Sequence, residues 1–266
     1  MLSLGRIVRR AVIYSPLARL ALRYKEWQAG QLAEAPPSVD ETGVPIPNAV
    51  LIATVVGRVP WREFIASGDR AISVFASAIN RNGGNFAASR RVLDFGCGCG
   101  RLARHLPKHT SAEIYGVDYN GNLVGWCEKN LTGHYSQNGL HPPLDFEANF
   151  FDAIYLYSVF THLREQTQRA WLIELKRILA PDGFCIITFH DEDQPELTHA
   201  GIDREELILK KTIVRNNNVE GSNLLSIFQT RTHAATVFSE FFDVMEIVPS
   251  QSSDVGQAMA ILRLTR

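Results

Sequence analysis

The chain has 266 residues, 45% of them apolar and 21% charged, with a formal net charge of −1. That length and composition fit one large or two small globular domains with a substantial core, and the near-zero charge excludes a general nucleic-acid binder, which carries a basic excess. The four cysteines, 97, 99, 127 and 185, show no CxxC spacing and no histidines at zinc-ligand intervals, which reads as reduced thiols of a cytoplasmic protein with no metal.

Residues 1–26 depart from the average. Six basic residues stand against the single acid Glu26, so the segment carries +5 and the remainder −6. Arginines interrupt every apolar run, leaving neither a signal-peptide core nor a membrane span. Leu4, Ile7, Val8 and Ala11 recur at helical spacing, so the segment reads as a basic amphipathic helix. Such a helix either packs on the domain or touches an anionic membrane at its inner face. Residues 33–49, rich in proline and acid, read as a linker. The expected division is therefore 1–59 as an N-terminal extension and 60–266 as the main domain.

Phe64, Ile65, Ile72, Phe75, Ala76 and Ile79 predict a helix after Pro60, ending before Gly83-Gly84. From Arg91 the pattern alternates. "RVLDF" is a strand, three glycines turn the chain, and "RLARHL" starts a helix; "AEIYGVD" (112–118) is a buried strand followed by the helical "GNLVGWCEKNL". "FDAIYLYSV" (151–159) is another strand, "EQTQRAWLIELKRILA" (165–180) a helix stopped by "PDG", and "FCIITFH" (184–190) the next strand. This order implies a doubly wound α/β protein, a mostly parallel sheet with helices on both faces. "FFDVMEIVP" and "QAMAILRLTR" have no helix between them, which predicts a C-terminal antiparallel pair.

Three glycines in five residues, at 96, 98 and 100, mark a turn where a ligand meets bare main chain. That turn lies at the strand edge where doubly wound sheets bind ligands. Asp118 ends the next strand, placed to accept from two ribose hydroxyls. A nicotinamide dinucleotide would need a third glycine where Arg101 stands, or, counted from Gly98, where the tolerated Ala103 stands, and the stronger objection is that its pyrophosphate would face the carboxylate of Asp94. A ligand with a cationic ammonium end suits Asp94 better.

"VLDFGCGCG" resembles the acid-x-Gly-x-Gly-x-Gly signature of class I S-adenosylmethionine-dependent methyltransferases. "IYGVDYN" is similar to that family's ribose-binding strand end, and "FDAIYLYSVFTHL" and "ELKRILAPDGFCIIT" to its later segments. The resemblance runs from about Phe64 to the end of the chain. It implies a seven-stranded sheet with a reversed seventh strand, S-adenosyl-L-methionine as cofactor, and methyl transfer. It further implies Asp94, Gly96, Cys97 and Gly98 at the methionine end, Asp118 on the ribose, Tyr119 against the adenine, Asn138 near the adenine amino group, and Ser158 near the methyl group.

A base is needed only when the acceptor atom carries a proton. His162 is the candidate, with His190 and His141 behind it. The acceptor is expected to be a small polar molecule (a sugar, glycolipid or secondary metabolite) methylated on oxygen or nitrogen, with residues 191–229 as a cap. The competing readings are a nicotinamide-dependent oxidoreductase and a non-catalytic nucleoside-binding module.

Overall fold

The computed structural model describes residues 35–57, 59–215, 220–222 and 225–264. The expected helix at 1–26 lies outside them. Five strands run parallel: β1 (Arg91–Phe95), β2 (Glu113–Asp118), β3 (His134–Gln137), β4 (Phe151–Leu156) and β5 (Leu179–Phe189). With β8 (Asp243–Val248) and β9 (Ala258–Arg263) they form one seven-stranded sheet in the order β3-β2-β1-β4-β5-β9-β8. β9 lies antiparallel between β5 and β8, so the C-terminal pair and the reversed final strand are as expected. The strand order reverses beside β1, and the crevice there is the ordinary ligand position of such sheets.

Alternation along each strand sorts the core into two layers. Val92, Ala153, Tyr155, Ile186 and Ile261 meet α2 (Trp61–Arg81) and α3 (Gly121–Asn130) on one face. Leu93, Phe95, Ile154, Cys185 and Ile187 meet α4 (Glu165–Ile178) and α7 (Arg231–Ser239) on the other. Trp171 of α4 is fully buried, edge-on to Phe95 at 4.7 Å between centroids, and its Nε1 donates to Leu140 O at 3.0 Å.

Four local features differ from the sequence reading. The chain after the glycines forms a 3-10 helix over Ala103–Lys108 instead of an α-helix. Pro107 lacks an N–H, and Arg104 is drawn inward to Pro45 O, Val44 O and Asp40. β3 went unpredicted because its four residues bury only Tyr135. β5 starts at Leu179 and carries "PDG" inside it, across a register shift against β4. The stretch read as a linker ends in α1 (Ala49–Val56), capped by Asn48 Oδ1 accepting from Leu51 N at 3.0 Å.

Residues 191–229 contain α5 (Glu196–His199), α6 (Arg204–Lys210) and the antiparallel pair β6 (Thr212–Arg215) and β7 (Ser226–Gln229). Leu197, Ile202, Leu207, Ile213 and Phe228 give them a small core of their own. No helix among the described residues is long and apolar enough to cross a membrane.

The ion pair between Arg104 and Asp40, 2.7 Å, ties the segment before α1 to the chain following the glycines, and the Arg104 side chain is 1% exposed. Replacing Asp40 by Asn strands a buried guanidinium, a change that costs about 3 kcal/mol. Urea unfolding of Asp40→Asn should show that loss; a variant within about 0.5 kcal/mol of the parent, as for an ordinary surface change, would remove the pair from the account.

Candidate active site

A cavity of about 500 Å³ opens at the C-terminal edge of β1, β2 and β4. Its floor is the glycine loop. Gly96, Gly98 and Gly100 all adopt left-handed φ, 79°, 55° and 74°, which side chains disfavour. Space is short as well. A Cβ on Gly96 would strike Val159, and one on Gly98 would come within 2.9 Å of Val55 on α1. The glycines thus answer first to the packing of the protein's own chain.

Three successive amides of this loop are committed. Gly96 N and Cys97 N donate to Val117 O at 2.8 and 3.0 Å, and Gly98 N donates to Asp118 Oδ2 at 2.8 Å. Asn120 N donates to Asp118 Oδ1 at 2.7 Å. Asp118 is therefore held at both oxygens on the cavity wall, each oxygen keeping a further lone pair for a ligand. Burial nevertheless raises its pKa.

Asp94 is the opposite case. It is buried on the cavity wall beside the Tyr155 hydroxyl and the Ala103 amide. Burial pushes its pKa up to about 7, against the weaker pull of the Tyr155 hydroxyl, the Arg101 guanidinium and the Ala103 amide. Arg101 also lines the cavity, stacked 4.3 Å over the Tyr157 ring. A buried acid and a cation share one wall.

Around the rim, Tyr119 is exposed, Gln137 Nε2 donates to Tyr119 O at 3.0 Å, and Asn138 N donates to Asp118 O at 3.1 Å. Ser158 follows β4 with φ 63°, an unusual state for a residue with a side chain. His162 ends the 3-10 helix Phe160–His162 and lines the cavity. Its Nδ1 lies 2.7 Å from Leu225 O, and its own carbonyl accepts from Gly221 N at 3.0 Å. A carbonyl only accepts, so the neutral ring carries its proton on Nδ1 and a lone pair on Nε2. Burial lowers the His162 pKa.

Asp94, Gly96, Cys97, Gly98, Asp118, Tyr119, Asn138, Ser158 and His162 thus all come together on this cavity. His190 does not. It lies behind the wall, its ring 5.0 Å from that of Phe228 and its pKa lowered by burial to about 4. His141 is exposed and also outside the lining. Thr54 and Val55 from α1 and Gly221 and Ser222 from the 191–229 segment complete the walls. Neither pair carries a sequence signal of its own, since each is placed only by long-range packing.

Residues 93–187 match the family model described as a methyltransferase domain. The chain carries a class I methyltransferase domain. Among solved structures, this domain is similar to an S-adenosylmethionine-dependent methyltransferase from Mesorhizobium loti, at TM-score 0.55 and 14% identity, over 70% of this chain and 96% of the other. It is likewise similar to the 1,6-didemethyltoxoflavin-N1-methyltransferase of Burkholderia thailandensis, at TM-score 0.54 and 17% identity, over 80% and 84%. At these identities the likeness is one of fold. A sterol 24-C-methyltransferase of Gibberella zeae is 28% identical over 151 residues, 52% of this chain and 39% of the relative. An uncharacterised Haemophilus influenzae protein is 28% identical over 109 residues, 39% of this chain and 43% of its own. The chain spans less than half the length of these curated relatives.

Gly96→Ala should test the floor of the site. The left-handed backbone costs an alanine about 1–2 kcal/mol, and the overlap with Val159 adds about 1–3 kcal/mol more. Chemical denaturation should show both, and Val159→Ala added to it should recover the overlap while the backbone cost stays. A Gly96→Ala protein as stable as the parent would contradict this loop geometry.

Proposed function

We propose that the chain is an S-adenosylmethionine-dependent methyltransferase that acts on an oxygen or nitrogen of a small polar acceptor, and that residues 60–266 form the working domain with 191–229 as its cap. One observation carries the cofactor choice: the amides of Gly96, Cys97 and Gly98 all donate to the end of β2. A dinucleotide-binding loop turns its N–H groups to a pyrophosphate, and these three are already taken.

The residues present suit S-adenosylmethionine. Asp94, buried on the cavity wall, matches an ammonium group, and Arg101 beside it matches a carboxylate. Asp118 has lone pairs left for ribose hydroxyls, and Tyr119 and Asn138 stand where an adenine would lie along the rim. Gly96, Cys97, Gly98 and Ser158 would contribute backbone surface. When bound, the cofactor supplies a methyl carbon activated by its sulfonium. The chain's part is to hold the acceptor atom in line and, for a hydroxyl, to take its proton. Neutral His162, with Nδ1 fixed on Leu225 O and Nε2 bare, is suited to that second task.

The similar proteins are named for different acceptors, a sterol in one and 1,6-didemethyltoxoflavin in another. Acceptor choice therefore rests on the cavity walls and not on the fold. A small polar acceptor is supported by Ser222 and His162 on a wall shared with Leu140 and Trp171.

Calorimetry should find S-adenosylhomocysteine binding at micromolar affinity or better and no binding of NAD; the reverse order would overturn the assignment. Asp118→Ala removes a charged acceptor, worth about 2–3 kcal/mol, and should weaken the cofactor at least about 30-fold. A variant within threefold of the parent would take Asp118 off the ribose.

His162→Ala should lower turnover by about 10² or more with cofactor affinity little changed, as for the loss of a general base. Only the neutral ring can take a proton, so the parent's rate should rise with pH through a value below the ordinary 6.5 and then stay flat. The variant should lack that step. Unchanged turnover with a lower melting temperature would make His162 a packing residue.

A further inference from the structure

Ser158 sits on the cavity wall with φ 63°, and a closed ring of hydrogen bonds holds it. Ser158 N donates to Thr188 Oγ1 on β5 at 2.7 Å. The Thr188 hydroxyl passes its own proton to Gln257 Oε1 at 2.7 Å. Gln257, one residue before β9, closes the ring by donating from Nε2 to Ser158 Oγ at 2.9 Å. Thr161 Oγ1 pins the same residue from the other side, donating to Ser158 O at 2.6 Å.

The Ser158 N–H can only donate, and Thr188 Oγ1 accepts from it while turning its own hydrogen to Gln257 Oε1, which leaves the Gln257 amide nitrogen for Ser158 Oγ. A carboxamide accepts at one end and donates at the other. The amide nitrogen also faces His190 Nε2 at 3.4 Å, and His190 pairs with Phe228 at the root of the 191–229 segment. Hydrogen bonds of this kind, shut in together, fix one arrangement.

We propose that Gln257 is a positioning residue for the active site: through Thr188 it locks Ser158 in the left-handed turn that shapes the cavity wall beyond β4. The inference rests on the cofactor reading of that cavity for its binding consequence, and on the ring alone for its structural one. The full chain and three variants, Gln257→Leu, Ser158→Ala and their double, provide the test. Hydrogen exchange of the segment 157–161 should speed up about tenfold or more in Gln257→Leu, since the ring that protects the Ser158 amide is opened. S-adenosylhomocysteine affinity should fall roughly tenfold in that variant. The double variant should bind no more weakly than the weaker single one, because both remove the same link. Should Gln257→Leu not fold, Gln257→Met, a flexible side chain of similar length that offers neither the amide donor nor the amide oxygen, opens the same ring, and the same shifts are expected of it.

Unchanged exchange and affinity with only a lower melting temperature would overturn the proposal, as would losses that simply add. A parent chain that binds no S-adenosylhomocysteine would sink the cofactor reading instead, and the exchange result would still decide the ring.

Discussion

The amides of Gly96, Cys97 and Gly98 are bound to the tip of β2, and the rest of the site follows from that commitment. Tied down in this way, these three amides cannot cradle a phosphate, although the glycine spacing looks like that of a cradle. The same bonds hold Asp118 with its carboxylate on the cavity. Recognition then passes from main-chain N–H groups to carboxylates, and carboxylates select hydroxyls and cations where amides would select anions. The left-handed glycines allow the loop to turn back on the sheet within reach of Val117.

Charge on the cavity wall is arranged as a pair, Asp94 with Arg101, in which the acid is the deeper member and burial outweighs the donors around it. A buried acid of this kind costs the empty protein stability when ionised, so it is better explained by a ligand than by the fold. The opposite wall is assembled from a distance. Glu220 Oε1 accepts from Arg164 N at 2.8 Å, Gly221 N donates to His162 O and Leu225 O faces His162 Nδ1. The segment carrying Ser222 is thereby stitched to the turn after β4, so the wall and the proton arrangement of His162 are set by the same contacts.

Much of this was legible in the sequence where a signal is local. "VLDFGCGCG" fixes a strand, a turn and an acid within nine residues, and Asp118 ends the next buried run. The closing antiparallel pair was legible from the missing helix between two apolar runs. Other parts were hidden for physical reasons. α1, "AVLIATVV", is apolar on every face and shows no helical period, yet it places Val55 over Gly98. β3 is a four-residue edge strand that buries only Tyr135. The expected α-helix after Gly100 yields to a 3-10 turn where Pro107 and the inward pull on Arg104 outweigh local propensity. Gln257 and Thr188 stand 69 residues apart, and no spacing rule links them.

The central claim is that Asp94 awaits a cationic group, and proton release on binding tests it most directly. Burial raises the Asp94 carboxyl to about 7, so near pH 7 it is partly protonated, and a bound cation that lowers its pKa must expel that proton. Calorimetry of S-adenosylhomocysteine binding at pH 7, run in two buffers of different ionisation enthalpy, should record proton release. Affinity should climb as the pH rises from 5 to above 7, and Asp94→Asn should abolish the release. Proton uptake at pH 7, or an affinity that stays level across that range, would contradict the account.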